Sequence, residues 1–239
     1  MDNIKDIDDN KTPICVFFDG NTDSFGAEYI RNKFCKRRYL VELGRKDLLA
    51  QYGEVLDTCY YITEGILISY EKSGKNRRIY DYFEPGMFVF LEQLLMDPVC
   101  RLTYEALTPM KLYSIDMVKV EKLLKNDWVF SAQCLAQMTR NYLVMKDLLR
   151  KSAEHSAQWL VCDLLLVFAK KDSYIKDGIT HINIKIPKTL LSDMLHLNRI
   201  TVTRELALLQ EKGLCTQERG MIRIMDVNAL REYRDTIDI

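Results

Sequence analysis

Arg199, Thr203 and Arg204 have the residue types and spacing needed to read a nucleic-acid duplex. They lie within KTLLSDMLHLNRITVTRELALLQEKGL, which runs from Lys188 to Leu214. Its apolar periodicity predicts two helices, Lys188 to Leu195 and Arg199 to Glu211. Leu190, Leu191, Met194 and Leu195 form the buried stripe of the first, and Val202, Leu206 and Leu209 that of the second. Asn198 is placed to cap the second helix with its short side-chain acceptor, and Gly213 stands where a helix-ending glycine belongs. Arg199, Thr203 and Arg204 then share a polar face or its margin near the helix start, the end that enters a major groove in helix-turn-helix binding. The planar fork of arginine matches the O6 and N7 acceptors of guanine, and threonine reaches phosphate or a base edge. An ordinary helical hairpin with solvated arginines would look the same over this stretch alone.

The flanking elements separate the two readings. Leu214 to Gln217 and Met221 to Ile224 surround Glu218-Arg219-Gly220, the pattern of a hairpin that carries Arg219 and Arg223. Helix, turn, helix, hairpin is the order of a winged helix-turn-helix, with Lys188, Thr201 and Arg219 expected at phosphates. Tyr174 to Met225 holds eight basic and five acidic side chains, a small excess directed at the second helix and the hairpin. Before it, Asp177-Gly178 is a turn, and Ile182, Ile184 and Ile186 alternate with Asn183 and Lys185 as a short strand ended by Pro187.

Upstream, Asp116 to Lys171 contains neither Pro nor Gly and permits long helices. Trp128, Leu135, Met138, Tyr142, Met145 and Leu149 fall at heptad steps broken only by Ser131, with Asp127 as the N-cap. That seam serves either as a face covering the preceding domain or as a two-stranded dimer interface. A second helix is expected from about Ala153 to Lys171, carrying Trp159, Leu160, Leu164, Leu165 and Phe168. From Tyr39 to Ile115 short β-branched and aromatic runs alternate with turns such as Glu64-Gly65, Ser73-Gly74 and Glu84-Pro85-Gly86. This predicts a small antiparallel barrel or sandwich. Residues 1–26 are polar and receive no function.

Composition bounds the rest. The chain has 239 residues, 48% hydrophobic and 28% charged, with 34 basic and 34 acidic side chains. A net charge of zero argues against loose polybasic binding and leaves room for a small basic face. No apolar run approaches the roughly 18 residues of a membrane span, and the N-terminus MDNIKDIDDN lacks the apolar stretch of a signal peptide. Seven scattered cysteines, at 15, 35, 59, 100, 134, 162 and 215, suit reduced thiols, so a cytoplasmic protein is expected. There is no phosphate-binding glycine loop, no metal-ligand spacing and no nucleophile elbow, and the expectation is that the chain is not an enzyme.

The order of parts resembles the Crp/Fnr family of bacterial transcription regulators over about Lys46 to Asp226. Gly53, Glu54, Tyr61, Gly65 and Gly86 occupy positions matching the family's barrel pattern, and LAQMTRN at 135–141 and the helix-turn-helix match in kind and spacing. The resemblance implies an α+β fold. It would comprise an N-terminal antiparallel β-barrel of the double-stranded β-helix or jelly-roll type, similar to cyclic-nucleotide-binding domains (27–126), a long dimerisation helix (127–152), and a C-terminal winged helix-turn-helix (153–239). It also implies a homodimer on a pseudo-palindromic operator in double-stranded DNA, RNA polymerase as a further partner, and a small-molecule effector or signal acting where the barrel meets the long helix.

The departures from the family are specific. Cyclic-nucleotide binders carry Gly-Glu and, about ten residues on, Arg-Ser or Arg-Thr, the Glu for the ribose and the Arg for the cyclic phosphate. Here Glu92 follows Leu91, Arg101 precedes Leu102, and Met145 and Lys146 stand where hydroxyl residues would contact adenine. Glu92, Arg101, Thr103, Tyr142 and Met145 are the candidate effector residues. A packed barrel with a solvated Glu and Arg fits as well, and cyclic AMP is not expected. No iron–sulfur spacing is present around Cys15 and Cys35. No haem ligand stands out among His155, His181 and His196, the last in the turn of the helix-turn-helix with a structural or phosphate-contacting role. No C-x-x-C pair marks a redox sensor. In the recognition helix the family's Glu, which accepts from a cytosine amino group, is replaced by Ile200. An apolar contact such as a thymine methyl is expected there, with a half-site differing from TGTGA or TTGAT. The rival reading is a cyclic-nucleotide-binding signalling module whose C-terminal part contacts protein.

Overall fold

The computed structural model describes residues 25–73, 76–171, 173–183 and 185–237. It divides into two compact units between Tyr142 and Leu143, within one long helix. The expectations for residues 1–24, including Cys15, and for Ile184 fall outside the described residues.

In the N-terminal unit, α1 (Phe25–Phe34) and a 3-10 turn (Arg37–Tyr39) lead into β1 (Leu40–Leu43), β2 (Leu48–Ala50), β3 (Thr58–Glu64), β4 (Leu67–Ser73), β5 (Asn76–Phe83) and β6 (Phe88–Val89). Then come α2 (Leu91–Leu95), β7 (Thr103–Ala106), β8 (Met110–Asp116), α3 (Met117–Asn126) and the first half of α4 (Trp128–Glu154). The strands form two four-stranded antiparallel sheets, β1-β8-β3-β6 and β2-β7-β4-β5, the jelly-roll arrangement anticipated.

Side-chain alternation builds two cores from one sheet. Ile62 of β3, Val89 of β6 and Leu112 of β8 point between the sheets, where they meet Leu67, Phe83, Tyr104 and Ala106. Their neighbours Cys59, Tyr61, Phe88 and Ile115 point outward against Ile30 and Phe34 of α1, Val120 of α3, and Phe130 and Cys134 of α4. Gly65 makes the tight β3–β4 connection. Its φ is +85°, and an added Cβ would meet the Pro109 carbonyl oxygen at 2.3 Å, so no other residue fits without moving backbone.

Caps set the helix starts. Asp116 accepts from the amides of Val118 and Lys119, and Asp127 accepts from the Phe130 amide at 3.1 Å. The Asp127 carboxyl also holds Lys33 and Tyr29 of α1. Burial opposes its charge, but these hydrogen bonds outweigh burial and bring its pKa down to about 2. Gln137 of α4 clasps β6: the Phe88 amide donates to its Oε1 and its Nε2 donates to the Phe88 carbonyl, each at 2.7 Å. One side-chain amide thereby replaces a missing strand neighbour.

The C-terminal unit holds the end of α4, α5 (Ala157–Lys171), β9 (Ser173–Lys176), β10 (Ile179–Ile182), α6 (Lys188–Leu195), α7 (Arg199–Glu211), β11 (Cys215–Glu218), β12 (Met221–Ile224) and α8 (Val227–Thr236). Its sheet runs β11-β12-β10-β9. Two boundaries differ from those expected. Helix α4 continues to Glu154 and α5 starts at Ala157, because the Ser156 hydroxyl caps the Trp159 amide. The strand expected over 182–186 lies earlier, at Ile179–Ile182. Asp177 and Gly178 both adopt positive φ, a turn that starts β10 at once and pairs it with β9, while the Ile186 amide leaves the sheet to donate to Gly220.

Charge is buried in this unit. Lys151 of α4, almost fully enclosed, lies 2.9 Å from Asp163 of α5 and 3.1 Å from Asp147, and Arg234 of α8 pairs with the other Asp163 oxygen at 2.8 Å. Both cations also lie over the Trp159 ring, which stacks on His155. The sequence reading identified neither α8 nor this network. The N-cap Asp226, which accepts from Asn228 and Ala229, was the one local signal for α8.

Candidate nucleic-acid interface

Helices α6 and α7 occupy the bounds that periodicity predicts. Between them the chain turns at His196, which ends α6 with φ +52°, and Asn198 caps α7 by accepting from the Ile200 amide at 2.9 Å. His196 belongs to the few residue types that tolerate this backbone region, which supplies its structural role. At the other end, Gly213 at φ +69° lets the Leu214 amide reach back to Leu209, closing α7 in a Schellman-type turn.

Val202, Leu206 and Leu209 face inward, as expected, and Glu205 joins them. The outer face therefore centres on Ile200, which is 77% exposed, with Arg204 and Ala207 below it and the half-buried Thr203 at its edge. Arg199 and Thr201 flank Ile200 on opposite sides, so one helix turn presents a methyl-bearing centre between a guanidinium and a hydroxyl.

The β11–β12 hairpin brings a second cation alongside. Arg219 and Gly220 form its tip with φ of +49° and +83°, the paired positive values that match strand twist. Two hydrogen bonds fasten this tip to the segment before α6: Ile186 donates to the Gly220 carbonyl at 2.7 Å, and Gln217 Nε2 donates to the Ile186 carbonyl at 3.1 Å. Lys188, Arg199 and Arg219 consequently line one groove of about 310 Å³, together with Pro187, Thr189, Gln217 and Gly220. Thr189 and Gln217 are members that the sequence reading did not single out. The Gln217 contact depends on tertiary packing and leaves no local signal.

The electrostatics of this groove favour an anion. Helices α6 and α7 both begin here, with cations at their first positions and no acidic residue in either first turn. A helix start carries partial positive charge, so acidic residues there stabilise and basic ones cost some tenths of a kcal/mol. Two such placements beside the groove build positive potential while lowering helix stability. Pro187 supplies no side-chain cap to α6, which leaves its first amides for an acceptor from outside. Of the remaining predicted contacts, Thr201 and Thr203 are half-buried, and Arg204 is exposed but bonded to Glu205.

The candidate effector residues do not converge in the same way. Glu92 opens α2; its Oε1 accepts from the Tyr104 hydroxyl at 3.4 Å, and burial of the carboxyl, with the charge of Asp81 adding to it, raises its pKa. Asp81 is also raised by burial and accepts from Ser69 at 2.6 Å. The side chain of Arg101 is 76% exposed and pairs with Asp97 at 2.8 Å. Thr103 starts β7 opposite Tyr70, and Tyr142 and Met145 are exposed on α4. Arg101, the one cation among these candidates, is thus paired with Asp97 at the surface. Burial also pushes the described thiols up, to about 12 for Cys134 and Cys162 and about 11 for Cys35 and Cys215. Among the described residues no group of three or more His, Cys, Asp or Glu is arranged to hold a metal, and no helix is long and apolar enough to cross a membrane.

On the helix α4 seam, Trp128, Leu135, Met138, Tyr142, Met145 and Leu149 are all exposed on the single chain, Trp128 to 78%. Burial within the chain instead falls to Phe130, Cys134, Gln137 and Val144.

Family models match both units. Residues 40–127 match the cyclic nucleotide-binding domain and residues 161–233 the Crp-like helix-turn-helix domain. No curated protein matches the sequence. Solved structures share the fold at low identity. FixK2 of Bradyrhizobium japonicum is 19% identical with a TM-score of 0.68, over 84% of this chain and 96% of that one. A CRP/FNR-family transcriptional regulator from Thermus thermophilus is 19% identical with a TM-score of 0.67, over 83% and 99%. The c-di-GMP-responsive global regulator CLP of Xanthomonas campestris is 16% identical with a TM-score of 0.68, over 77% and 92%. Both domain matches, in this order and on this fold, make the chain a member of the Crp/Fnr family of DNA-binding transcription regulators.

Proposed function

We propose that the chain acts in the cytoplasm as a homodimer, reading a pseudo-palindromic operator through the outer face of α7 while the groove beside it holds the DNA backbone. The observation that carries this reading is the convergence of Lys188, Arg199 and Arg219 on one groove beside the exposed first turn of α7. Lys188, Thr201 and Arg219 contact phosphates, and Arg199, Thr203 and Arg204 contact bases. Ile200 packs on a thymine methyl, so the half-site departs from that of relatives with Glu at this place. The exposed row on α4 supplies the dimer contact, which sets two reading heads about one helical turn apart. RNA polymerase is a partner of the bound dimer.

An effector or signal acting at the junction of barrel and long helix, with Glu92, Arg101, Thr103, Tyr142 and Met145 as its candidate residues, shifts the population between two arrangements of different DNA affinity. The carboxyls of Glu92 and Asp81, together with the outward pairing of Arg101, speak against cyclic AMP in this role. The chain performs no catalysis. A salt-titrated mobility shift on duplexes selected from a random pool, run beside calorimetry with cyclic AMP and cyclic GMP, tests the assignment. Sequence-selective, salt-dependent binding is expected. Cyclic-nucleotide binding without any DNA preference would favour the signalling-module alternative instead.

A further inference from the structure

We propose that Glu205 positions Arg204 for base recognition and so sets specificity at the operator base pair that Arg204 faces. The proposal rests on the DNA-reading assignment of α7. Successive helix residues point about 100° apart and do not meet by default. Here Nε and Nη2 of Arg204 both donate to one oxygen, Oε1 of Glu205, at 3.0 and 2.8 Å. The Glu205 side chain is 8% exposed, on the inward side of α7 with Val202, Leu206 and Leu209, whereas that of Arg204 is 75% exposed. An acceptor fixed in the interior of the unit therefore grips the inner edge of a guanidinium whose outer edge is open.

The donors add up. A guanidinium has five N–H groups; the Nε–Nη2 edge commits two to Glu205, and of the three remaining, one each on Nη1 and Nη2 form the fork that guanine O6 and N7 accept. A free arginine carries its rotamer entropy into such a contact, and the grip removes part of that cost beforehand. The carboxylate also offsets the arginine charge, which weakens its pull on phosphates relative to a bidentate base edge. Stability alone does not call for a glutamate here, since an apolar residue at an inward position often stabilises as well as an enclosed carboxylate whose cation is largely exposed.

Full-length wild type, Glu205→Leu, Glu205→Ala, Glu205→Gln, Arg204→Ala and the double variant Arg204→Ala/Glu205→Ala are compared. Each selects from duplexes with a randomised core, and the wild-type sequence recovered is then titrated with single base-pair replacements. Glu205→Leu fills the space without an acceptor and keeps the measurement open if Glu205→Ala unfolds. Both are expected to lose discrimination about tenfold at the same base pair in each half-site as Arg204→Ala, and to keep it elsewhere. They should bind unrelated duplex at least as tightly as wild type. Glu205→Gln, which retains an acceptor, should keep most of the discrimination, and the double variant should be no worse than Arg204→Ala. Unchanged discrimination, or a loss spread evenly across the site and additive with Arg204→Ala, would overturn the role of Glu205 while leaving DNA reading intact. A wild-type protein that selects no sequence would overturn both.

Discussion

Lys188 and Arg204 sit within one short helical hairpin but make opposite demands on DNA. Lys188 lines the groove at the start of α6, where a point charge and open amides suit a phosphate. Replacing it by Ala should weaken binding to every sequence alike and lower the logarithmic salt slope by about one. Arg204 is proposed to read a base, and its loss should cost about 1–3 kcal/mol of specific affinity with unrelated duplex little affected. Competition binding at several salt concentrations separates the two. Ile200 can be probed from the DNA side, because it has no hydrogen bond to offer. Replacing the facing thymine by deoxyuridine removes only a methyl group and should weaken the wild type severalfold while leaving Ile200→Ala unaffected. Equal sensitivity in both proteins would remove Ile200 from the readout.

Short-range signals fixed the elements, and tertiary contacts hid what the sequence did not disclose. Asn198 announces the start of α7 because capping chemistry is local, and Asn198→Ala should cost about 1 kcal/mol in denaturant unfolding of the C-terminal unit. β3 was legible as a strand from its β-branched and aromatic run, but not the division of its faces, since Tyr61 and Ile62 are both apolar and enter opposite cores. By contrast, Gln137 on Phe88 and Gln217 on Ile186 join residues far apart in sequence, and neither glutamine differs locally from a solvated one. Arg101 is a pocket candidate by family spacing, and its exposed pairing with Asp97 is a further contact that the spacing does not disclose. Asp127 joins local and distant roles, capping α4 while holding Lys33 and Tyr29. Its pKa of about 2 lies below the ordinary 3.8, so its contribution to stability is complete above that value and is lost as pH falls toward 2. The urea midpoints of wild type and Asp127→Asn should differ by a constant amount above about pH 5 and converge over that acid range.

For the molecule as a whole, equal numbers of acids and bases mean that overall charge does not hold it on DNA. Binding must come from a few placed cations, and two copies acting together multiply what one reading head supplies. The apolar row on α4 is the surface proposed to bring two copies together. Leu135→Glu with Leu149→Glu, both on exposed positions, should leave the fold of each chain intact. Sedimentation velocity should show a shift to monomer, and operator affinity should fall by about two orders of magnitude with loss of the second head. An unchanged sedimentation coefficient would locate the dimer contact elsewhere.

The buried charges of the C-terminal unit have a consequence for how the chain is made. Lys151 serves both Asp147 and Asp163, Arg150 also pairs with Asp147, and Arg234 of α8 takes the other oxygen of Asp163. Synthesis runs from the N-terminus, so α5, α6, α7 and the hairpin all emerge before the helix that supplies Arg234. Until then the enclosed Asp163 has Lys151 as its cation and lacks its second one. Docking of α8 thus brings the second cation to Asp163 only after the helices of the reading head have been made.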